Sequence, residues 1–260
     1  MSDLAARVAA QRWYHVLELP GGIVTPGEYD LRPVAPRLPW PDLADARCLD
    51  VGSRDGFYAF EMERRGAGEV VSLDIDDPAQ IDFSVFPPPP PELVQRELDD
   101  GNGAFALAWD ALGSHVQRRH QSLYELDEDE VGRFDVAVIG TLLLHLRDPI
   151  AALRAVRGVA DVLLLNEAVA PALSALSRRP QAELAPAHGP YWWLANPAGL
   201  RKMVEAAGFT VRAEGRPYLV PWGAGHRPSL RKVLRGGPAR ELPRRALVRR
   251  GQLHHWLLAD

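Results

Sequence analysis

Four short runs rich in Leu and β-branched residues constrain the fold of this chain more than any other feature. They cover residues 46–51, 69–75, 134–140 and 161–166, and none of them alternates polar with apolar residues. This composition is typical of strands buried on both faces. Helical patterns lie between the runs. Strands that alternate with helices predict an α/β fold, with a mostly parallel sheet and helices on both faces.

Local start and stop signals place the helices. One helix is predicted over 57–65, directly before a glycine. A second begins at Pro149, where Asp148 supplies the N-cap, and a third begins at Pro197 after an Asn cap. In the third, apolar residues recur at i, i+3, i+4 and i+7 up to Gly208, as on the buried face of a helix.

Other stretches fall outside this alternation. Residues 12–41 combine Pro and Gly with aromatic residues, which favours a shaped loop or lid. Residues 86–91 are predicted to be a polyproline spacer, and 104–112 a short inserted helix. We therefore expect a single domain over 1–260, with 1–41 appended to it as an N-terminal lid or helix segment.

Composition excludes several classes of protein. A single cysteine, Cys48, can form neither an internal disulfide nor a thiolate metal cluster, and no HExxH motif is present. His254 and His255 are predicted to lie in a last, antiparallel strand, where adjacent side chains point to opposite faces and cannot share a metal. No run of about eighteen apolar residues could span a bilayer. We expect a cytoplasmic protein that needs no metal and has no membrane partner.

The charge is distributed unevenly along the chain. Residues 226–260 carry nine Lys or Arg against two acids, whereas the whole chain has a net charge of −4. An Arg-rich stretch from Arg227 to Arg250 could bind the phosphates of a nucleic acid, or it could be a solvated edge. Nucleic acid thus stays open as an alternative partner.

Polar and glycine residues follow the predicted strands at the edge where parallel sheets bind ligands. Asp50 to Gly56 follow the first strand and lead into a helix, and Asp74 and Ile75 end the second strand about twenty residues later. Gly52 lets the backbone turn tightly and approach a ligand, and a strand-end carboxylate can accept the hydroxyls of a ribose. Asp74 is the favoured carboxylate, and Asp76 is the alternative. A nucleoside site is therefore predicted. The residues expected to bind it are Asp50, Gly52, Ser53, Arg54, Gly56, Asp74 and Ile75.

The sequence of the same loop indicates which of two kinds of nucleoside cofactor it binds. Dinucleotide sites use Gly-x-Gly-x-x-Gly, but Arg54 replaces the middle glycine here and an acid leads the motif. The Asp-x-Gly-x-x-x-Gly loop resembles the S-adenosylmethionine site of class I methyltransferases. That resemblance implies a Rossmann-like, seven-stranded, mostly parallel sheet with an antiparallel last strand. It also implies cofactor contacts at Ser122 and Leu123, where the family contacts adenine, and at Gly140, which ends the fourth strand.

Three further sequence blocks indicate which group of methyltransferases the chain resembles. WYHVLELPGGIVTPGEYD (13–30), LHLRDP (144–149) and YWWLANPAGLRKMVEAAGF (191–209) resemble the family that includes the transferases acting on 5-hydroxyuridine at the tRNA wobble position. The carboxymethyl-transferring members have a Tyr immediately before the His of the second block, where this chain has Leu144. Plain methyl transfer is therefore expected rather than carboxymethyl transfer.

Methyl transfer from a sulfonium depends mainly on alignment in a dry pocket, with a base where the acceptor must lose a proton. The candidate bases are His145 beyond the fourth strand, Glu167 beyond the fifth, and His15 in the N-terminal segment. Aromatic residues could wall an apolar or ring-shaped acceptor, or could simply pack the N-terminal segment on the sheet: Trp13, Tyr14, Tyr29, Tyr191, Trp192 and Trp193.

The sequence leaves three hypotheses. In the first, the protein methylates a small molecule, such as a hydroxyl of a natural product or sugar, with S-adenosylmethionine as cofactor. In the second it modifies tRNA, with phosphates bound by the Arg-rich stretch. In the third it binds a nucleoside without catalysis. The acceptor, its reacting atom and the oligomeric state are not encoded in any motif.

Overall fold

The computed structural model of the protein describes residues 3–184, 191–226 and 250–260. The helices are α1 (Asp3–Ala10), α2 (Phe57–Arg64), α3 (Pro91–Leu112), α4 (Glu128–Val131), α5 (Pro149–Val159), α6 (Pro171–Leu176) and α7 (Pro197–Ala206). The strands are β1 (Glu18–Leu19), β2 (Ile23–Val24), β3 (Arg47–Val51), β4 (Glu69–Asp74), β5 (Gln117–His120), β6 (Phe134–Gly140), β7 (Ala160–Ala168), β8 (Ala182–Leu184), β9 (Trp193–Ala195), β10 (Val211–Glu214), β11 (Tyr218–Pro221) and β12 (Gly251–Ala259).

The central sheet has the strand order β10-β12-β7-β6-β3-β4-β5. Strands β3 to β7 are parallel to their neighbours, and β12 runs antiparallel to β7. The predicted α/β fold with an antiparallel last strand is therefore confirmed. The sheet has an eighth strand, β11, in addition to the seven that were expected. Strand β11 pairs with the first half of β12, and β10 pairs with the second half of the same strand. The strand order reverses beside β3, so the ends of β3 and β6 frame the crevice where open α/β sheets bind ligands.

The absence of polar alternation in these strands follows from a core on each face of the sheet. Leu49 and Ile139 belong to the cluster that packs against α5 and α7, whereas Cys48 and Val138 belong to the cluster that packs against α2 and α3. Successive strand residues point to opposite faces, and here both faces are covered, so both must be apolar.

Helix starts were predicted well where a side chain caps the helix. Asp148 accepts the N–H of Ala151 at 2.9 Å, and Asn196 accepts the N–H of Gly199 at 2.8 Å. The prediction for 86–112 was wrong in extent, because a single long helix, α3, begins at Pro91 and continues to Leu112. Proline is well suited to a first helical position, so the end of the proline run starts the helix instead of separating it from the strand.

The N-terminal segment lies over the end of β11 through backbone contacts. His15 and Tyr29 form an isolated parallel bridge, and Tyr29 pairs with Trp222 just beyond β11. Strands β1 and β2 form a short hairpin between these two bridge residues. In the described part of the chain, no helix has both the length and the apolar character needed to cross a membrane.

Candidate functional site

The loop between β3 and α2 forms the floor of the site. Gly52 has φ of +73°, so a side chain would be strained there, and an added Cβ would also lie 2.9 Å from Leu142. Asp50 and Ser53 point inward: Asp50 accepts the Ser53 hydroxyl at 2.6 Å and the N–H of Ala59 at 2.9 Å. Burial raises the pKa of Asp50 to about 6, although these donors oppose the shift. Asp50 and Ser53 thus fix the loop from below.

Asp74, at the end of β4, is held by both neighbouring elements. Its Oδ2 accepts the backbone N–H of Arg54 at 2.6 Å and lies 3.4 Å from the guanidinium of Arg118 on β5, and its Oδ1 accepts the N–H of Ile75 at 2.8 Å. A carboxylate can accept about four hydrogen bonds, so Asp74 retains capacity for a ligand hydroxyl. Arg118 also donates to Asn102 on α3 at 2.9 Å, which ties the carboxylate to that helix.

A cleft opens beside Asp74. It is lined by five of the predicted cofactor residues, Gly52, Asp74, Ile75, Ser122 and Leu123, and by His145. It is also lined by residues that the sequence analysis did not select: Leu73, Gln80, Ile81, Asp82, Gln121, Tyr124, Leu142 and Leu146. Apolar walls with a carboxylate at one end are suited to a flat base attached to a ribose. The residues present therefore fit an adenosyl group.

The other predicted cofactor residues have different surroundings. An added Cβ at Gly140 would overlap the ring of Tyr58 on α2, and one at Gly56 would overlap Phe60, so both glycines allow close packing of α2. The Arg54 side chain turns away from the cleft, with its guanidinium carbon 5.6 Å from the centre of the Tyr14 ring. It also lies against Gly101 of α3.

Glu167, near the end of β7, holds the loop that follows β6. Its Oε2 accepts the N–H groups of Leu142 and Leu143 at 3.0 and 2.8 Å, and its Oε1 accepts the N–H of Ala168 at 3.0 Å. The residue is 1% exposed. Burial raises the pKa of Glu167 to about 7, against the effect of these three amides. Because Leu142 covers Gly52, Glu167 supports one wall of the cleft.

His145 ends the short 3-10 turn after β6. Its N–H donates to the carbonyl of Leu142 at 2.9 Å, and its ring centre lies 5.4 Å from that of Tyr191. The residue is half-buried and lines the cleft. His145 is therefore placed between the cleft and the aromatic residues around Tyr191.

His15 forms the tightest ionisable pair of the site, with Asp55 in the β3–α2 loop. The ring Nδ1 lies 2.5 Å from Oδ1 of Asp55, and Oδ2 accepts the N–H groups of Tyr14 and His15 at 2.8 Å each. Burial alone would raise the pKa of Asp55, but the His15 ring and the amide donors outweigh it and lower the pKa below its ordinary value. Asp55 thus attaches the N-terminal segment to the loop and orients the imidazole.

Three of the predicted aromatic residues gather beside this pair. The rings of Tyr14 and Tyr29 have centres 5.0 Å apart, their hydroxyls are hydrogen-bonded, and both tyrosines lie within electrostatic range of Tyr191. Burial raises the pKa of Tyr14, Tyr29 and Tyr191, and the carboxylate of Glu28 raises it further in each case. We call Tyr14, Tyr29 and Tyr191 the tyrosine cluster.

The three tryptophans of the prediction have other environments. Trp13 is 2% exposed in the core, and its indole N–H donates to the carbonyl of Val8 at 2.9 Å. Trp192 donates to the carbonyl of Asp82 at 3.0 Å and Trp193 to that of Arg147 at 3.1 Å. The latter two indoles therefore join the loops around the cleft, whereas Trp13 packs as a core residue.

Sequence reasoning missed Asp55, Asp82 and Arg118. Asp55 lies inside the selected loop. Its position close to the start of α2 could have indicated that it has a role in the site. Asp82 accepts the hydroxyl of Tyr124 at 2.7 Å and the N–H of Arg147 at 2.9 Å, closing the cleft from the side of the β4–α3 connection. No local motif marks Asp82 or Arg118. The Arg-rich stretch falls almost entirely within 227–249, outside the described residues.

Comparison with known proteins gives a family match over most of the chain. A family described as "Methyltransferase domain" matches residues 27–214. Among curated proteins, the ubiquinone biosynthesis O-methyltransferase of Xanthomonas oryzae pv. oryzae (strain PXO99A) is 34% identical over 116 residues, which make up 44% of this chain. The matched stretch spans 38% of that protein's length.

Solved structures share the fold. The N-terminal domain of EvdMO1, solved in the presence of SAH and D-fucose, has a TM-score of 0.55 at 15% identity and covers 100% of this chain and 97% of that chain. The 1,6-didemethyltoxoflavin-N1-methyltransferase of Burkholderia thailandensis, with bound 1,6-didemethyltoxoflavin and S-adenosylhomocysteine, has a TM-score of 0.52 at 16% identity, covering 88% and 76%. At these identities the likeness concerns the fold alone.

Proposed function

The chain belongs to the methyltransferase-domain family, and from that premise we propose that it transfers a methyl group from S-adenosylmethionine to a hydroxyl of a small-molecule acceptor. The family accounts for the predicted enzyme class and cofactor, whereas the acceptor and the residues acting on it are our proposal. The observation that carries the proposal is the buried pair formed by His15 of the N-terminal segment and Asp55 of the β3–α2 loop, because a hydroxyl acceptor is the kind that benefits from an oriented base.

The residues that would hold the cofactor are those of the cleft. Asp74 would accept ribose hydroxyls, and Ile75 and Leu123 would enclose the base between apolar side chains. Gly52 would allow the backbone to approach the ligand. When bound, S-adenosylmethionine supplies a methyl group on a sulfonium, which an acceptor oxygen can displace in line.

His15 would accept the proton of the acceptor hydroxyl. Asp55 fixes Nδ1 of the ring, so the ring can take a proton only on Nε2 and the carboxylate stabilises the charge that forms. Within the described residues, Nε2 makes no hydrogen bond. An oriented base of this kind contributes roughly 10²–10⁴-fold to the rate. Glu167 is committed to the loop after β6, which makes it a support for the site, and His145 remains a second candidate base beside Tyr191.

The tyrosine cluster would bind the acceptor and exclude water. Tyrosine rings cover apolar or ring-shaped molecules while their hydroxyls form hydrogen bonds, which suits a hydroxylated natural product or a sugar. The curated protein that matches part of this chain is named an O-methyltransferase. The N-terminal domain of EvdMO1, which shares the fold, was solved in the presence of D-fucose. Both names support an oxygen acceptor on a small molecule.

Binding of S-adenosylhomocysteine tests the cofactor half of the proposal. Asp74→Ala should weaken binding by about 2–3 kcal/mol in calorimetry, through loss of charge-assisted hydrogen bonds. Asp76→Ala, which removes the exposed acid two residues later, is the matched control and should bind as the unmodified protein does. If Asp76→Ala is the weakened variant, the ribose assignment moves to Asp76.

Transfer of label from methyl-labelled S-adenosylmethionine tests the acceptor half. Label should enter small hydroxylated molecules in a panel of catechols and monosaccharides, and His15→Gln should reduce turnover more than it reduces affinity for S-adenosylhomocysteine. Label found only in added total tRNA would instead support the wobble-uridine relationship, in which binding should fall steeply with salt. Binding without transfer to either class would support a non-catalytic nucleoside-binding protein.

A further inference from the structure

Three large apolar side chains are far more exposed than the others in the described part of the chain. Phe86 is 96% exposed, Leu176 84% and Leu184 60%, whereas Leu93, the next in order, is 49% exposed. Single exposed apolar residues are common on protein surfaces, but a group of them at one place marks an interaction site. The positions of these three in the fold show that they belong to one surface.

The loop that carries Phe86 meets the β8–β9 hairpin that carries Leu184. Phe86 lies four residues beyond Asp82, whose carbonyl accepts the indole N–H of Trp192 at 3.0 Å. Trp193, the next residue, is the partner of Leu184 in the register of the hairpin. A single hydrogen bond therefore joins the connection after β4 to this hairpin.

Helix α6, which ends at Leu176, is held against the same hairpin. The carbonyl of Ser177 accepts the side-chain amide of Asn196, directly after β9, at 3.2 Å, and α6 has no buried residue. The hairpin itself lies on the loop after β6, where the backbone N–H of Trp192 donates to the carbonyl of Leu144 at 2.8 Å. All three exposed side chains therefore border the carboxyl edge of the sheet. We call Phe86, Leu176 and Leu184 the apolar rim.

Two arginines lie beside the apolar rim. Arg178 and Arg179 follow α6, both are exposed, and neither has an ion-pair partner among the residues that the structure describes. The carbonyl of Arg179 accepts the side-chain amide of Asn196 at 2.9 Å, which fixes the backbone of this turn. Glu183 is the one acid in 171–184, and it precedes Leu184 in β8, so it points to the opposite face of the hairpin. The surface thus combines apolar side chains with positive charge.

The shape of this surface indicates what kind of partner covers it. A protein partner would need a separate pocket for each of three side chains that project from different segments, whereas acyl chains adapt to any shape. Guanidinium groups bind phosphate oxygens through paired hydrogen bonds, and anionic lipid headgroups supply such phosphates. Apolar side chains next to basic ones are typical of elements that bind at the interface of a bilayer.

We propose that the apolar rim, together with Arg178 and Arg179, docks the protein on the surface of an anionic lipid bilayer. The apolar side chains enter the boundary between headgroups and acyl chains, and the arginines bind lipid phosphates. Docking of this kind needs no membrane-spanning helix, and the described residues contain none. It gives the protein a membrane partner that its sequence did not predict, and it does not depend on the identity of the methyl acceptor.

Sedimentation with lipid vesicles tests the proposal. The unmodified protein should bind vesicles of equal parts phosphatidylglycerol and phosphatidylcholine, and should bind more weakly at high salt or without phosphatidylglycerol. Phe86→Asp and Leu176→Asp should each weaken binding by about 10-fold or more, because a charge replaces an apolar side chain that enters the lipid. Arg178→Glu combined with Arg179→Glu should weaken binding to the anionic vesicles by at least about 10-fold and leave binding to pure phosphatidylcholine unchanged.

Leu112→Asp and Arg37→Glu are the matched controls. Both residues are exposed and lie ahead of the amino ends of β5 and β3, at the opposite edge of the sheet, so both variants should bind vesicles as the unmodified protein does. The proposal is overturned if the unmodified protein binds neither kind of vesicle, or if the rim variants bind as well as the controls. Self-association without lipid that Phe86→Asp abolishes would assign the rim to a second copy of the chain and would overturn it too.

Discussion

Replacing Glu167 with Gln should change how the stability of the protein depends on pH. Burial raises the pKa of this carboxyl from the ordinary 4.5 to about 7 in the folded state. Between these values the folded protein holds a proton that the unfolded chain has released, so the contribution of Glu167 to stability is complete below about pH 4.5 and is lost as the pH rises to about 7. At about 1.36 kcal/mol for each pH unit, the loss is about 3 kcal/mol.

The assay is urea unfolding of both proteins at a series of pH values from about 4.5 to 8. Other groups also titrate in this range, so the informative quantity is the free energy of unfolding of the unmodified protein minus that of Glu167→Gln. We expect this difference to fall by about 3 kcal/mol across the range. Glu92→Gln, at an exposed position on α3, controls for the loss of one negative charge. A difference that is the same at every pH would refute the assignment of a raised pKa to Glu167.

Two other predictions concern packing and acid stability. Gly140→Ala should destabilise the protein by about 1–3 kcal/mol in thermal or urea unfolding, because the new methyl group overlaps the ring of Tyr58. Gly158→Ala on α5, where an added Cβ meets nothing within 4 Å, should be neutral or stabilising by up to about 1 kcal/mol, and equal effects at the two glycines would contradict the packing argument. Burial lowers the pKa of His254 to about 3, so stability contributed by its neutral form should be lost as the pH falls below about 6.5, by about 3 kcal/mol at pH 4. His254→Gln should lack that loss, and an unchanged acid profile would show that the buried imidazole is not its source.

The sequence predicted those parts of the fold that depend on neighbouring residues. Four strands, the caps at Asp148 and Asn196, and the loop from Asp50 to Gly56 all follow from local composition and spacing, and the structure has each of them. The extent of α3 was not predicted, because the glycines at 101 and 103 weaken the helical pattern in its middle. In the folded protein Gly101 is buried, so packing compensates for its low helix propensity.

Contacts between distant segments were the part of the site that no motif could predict. Asp55 and His15 are 40 residues apart, and Asp82 and Trp192 are 110 apart. Each residue type is common in loops, and only the folded chain brings the pairs together. The loop selected from sequence contributes Gly52 to the lining of the cleft. Its side chain with the closest contacts, Asp55, occupies a position that the motif leaves variable.

The geometry of Asp55 links the two halves of the site. The half of the site that we propose for the cofactor is built from β3, β4 and the loops after β5 and β6, whereas the half that we propose for the acceptor contains Tyr14 and Tyr29 from a segment with little regular structure. That segment meets the loop through the amides of residues 14 and 15, which both donate to Asp55. Any movement of the loop that carries Asp55 must therefore move Tyr14 and His15 with it, because a fully buried carboxylate cannot exchange these donors for water without a large cost. Under the proposed function, we therefore expect acceptor alignment and cofactor binding to be coupled at this carboxylate, and substitutions there should affect both.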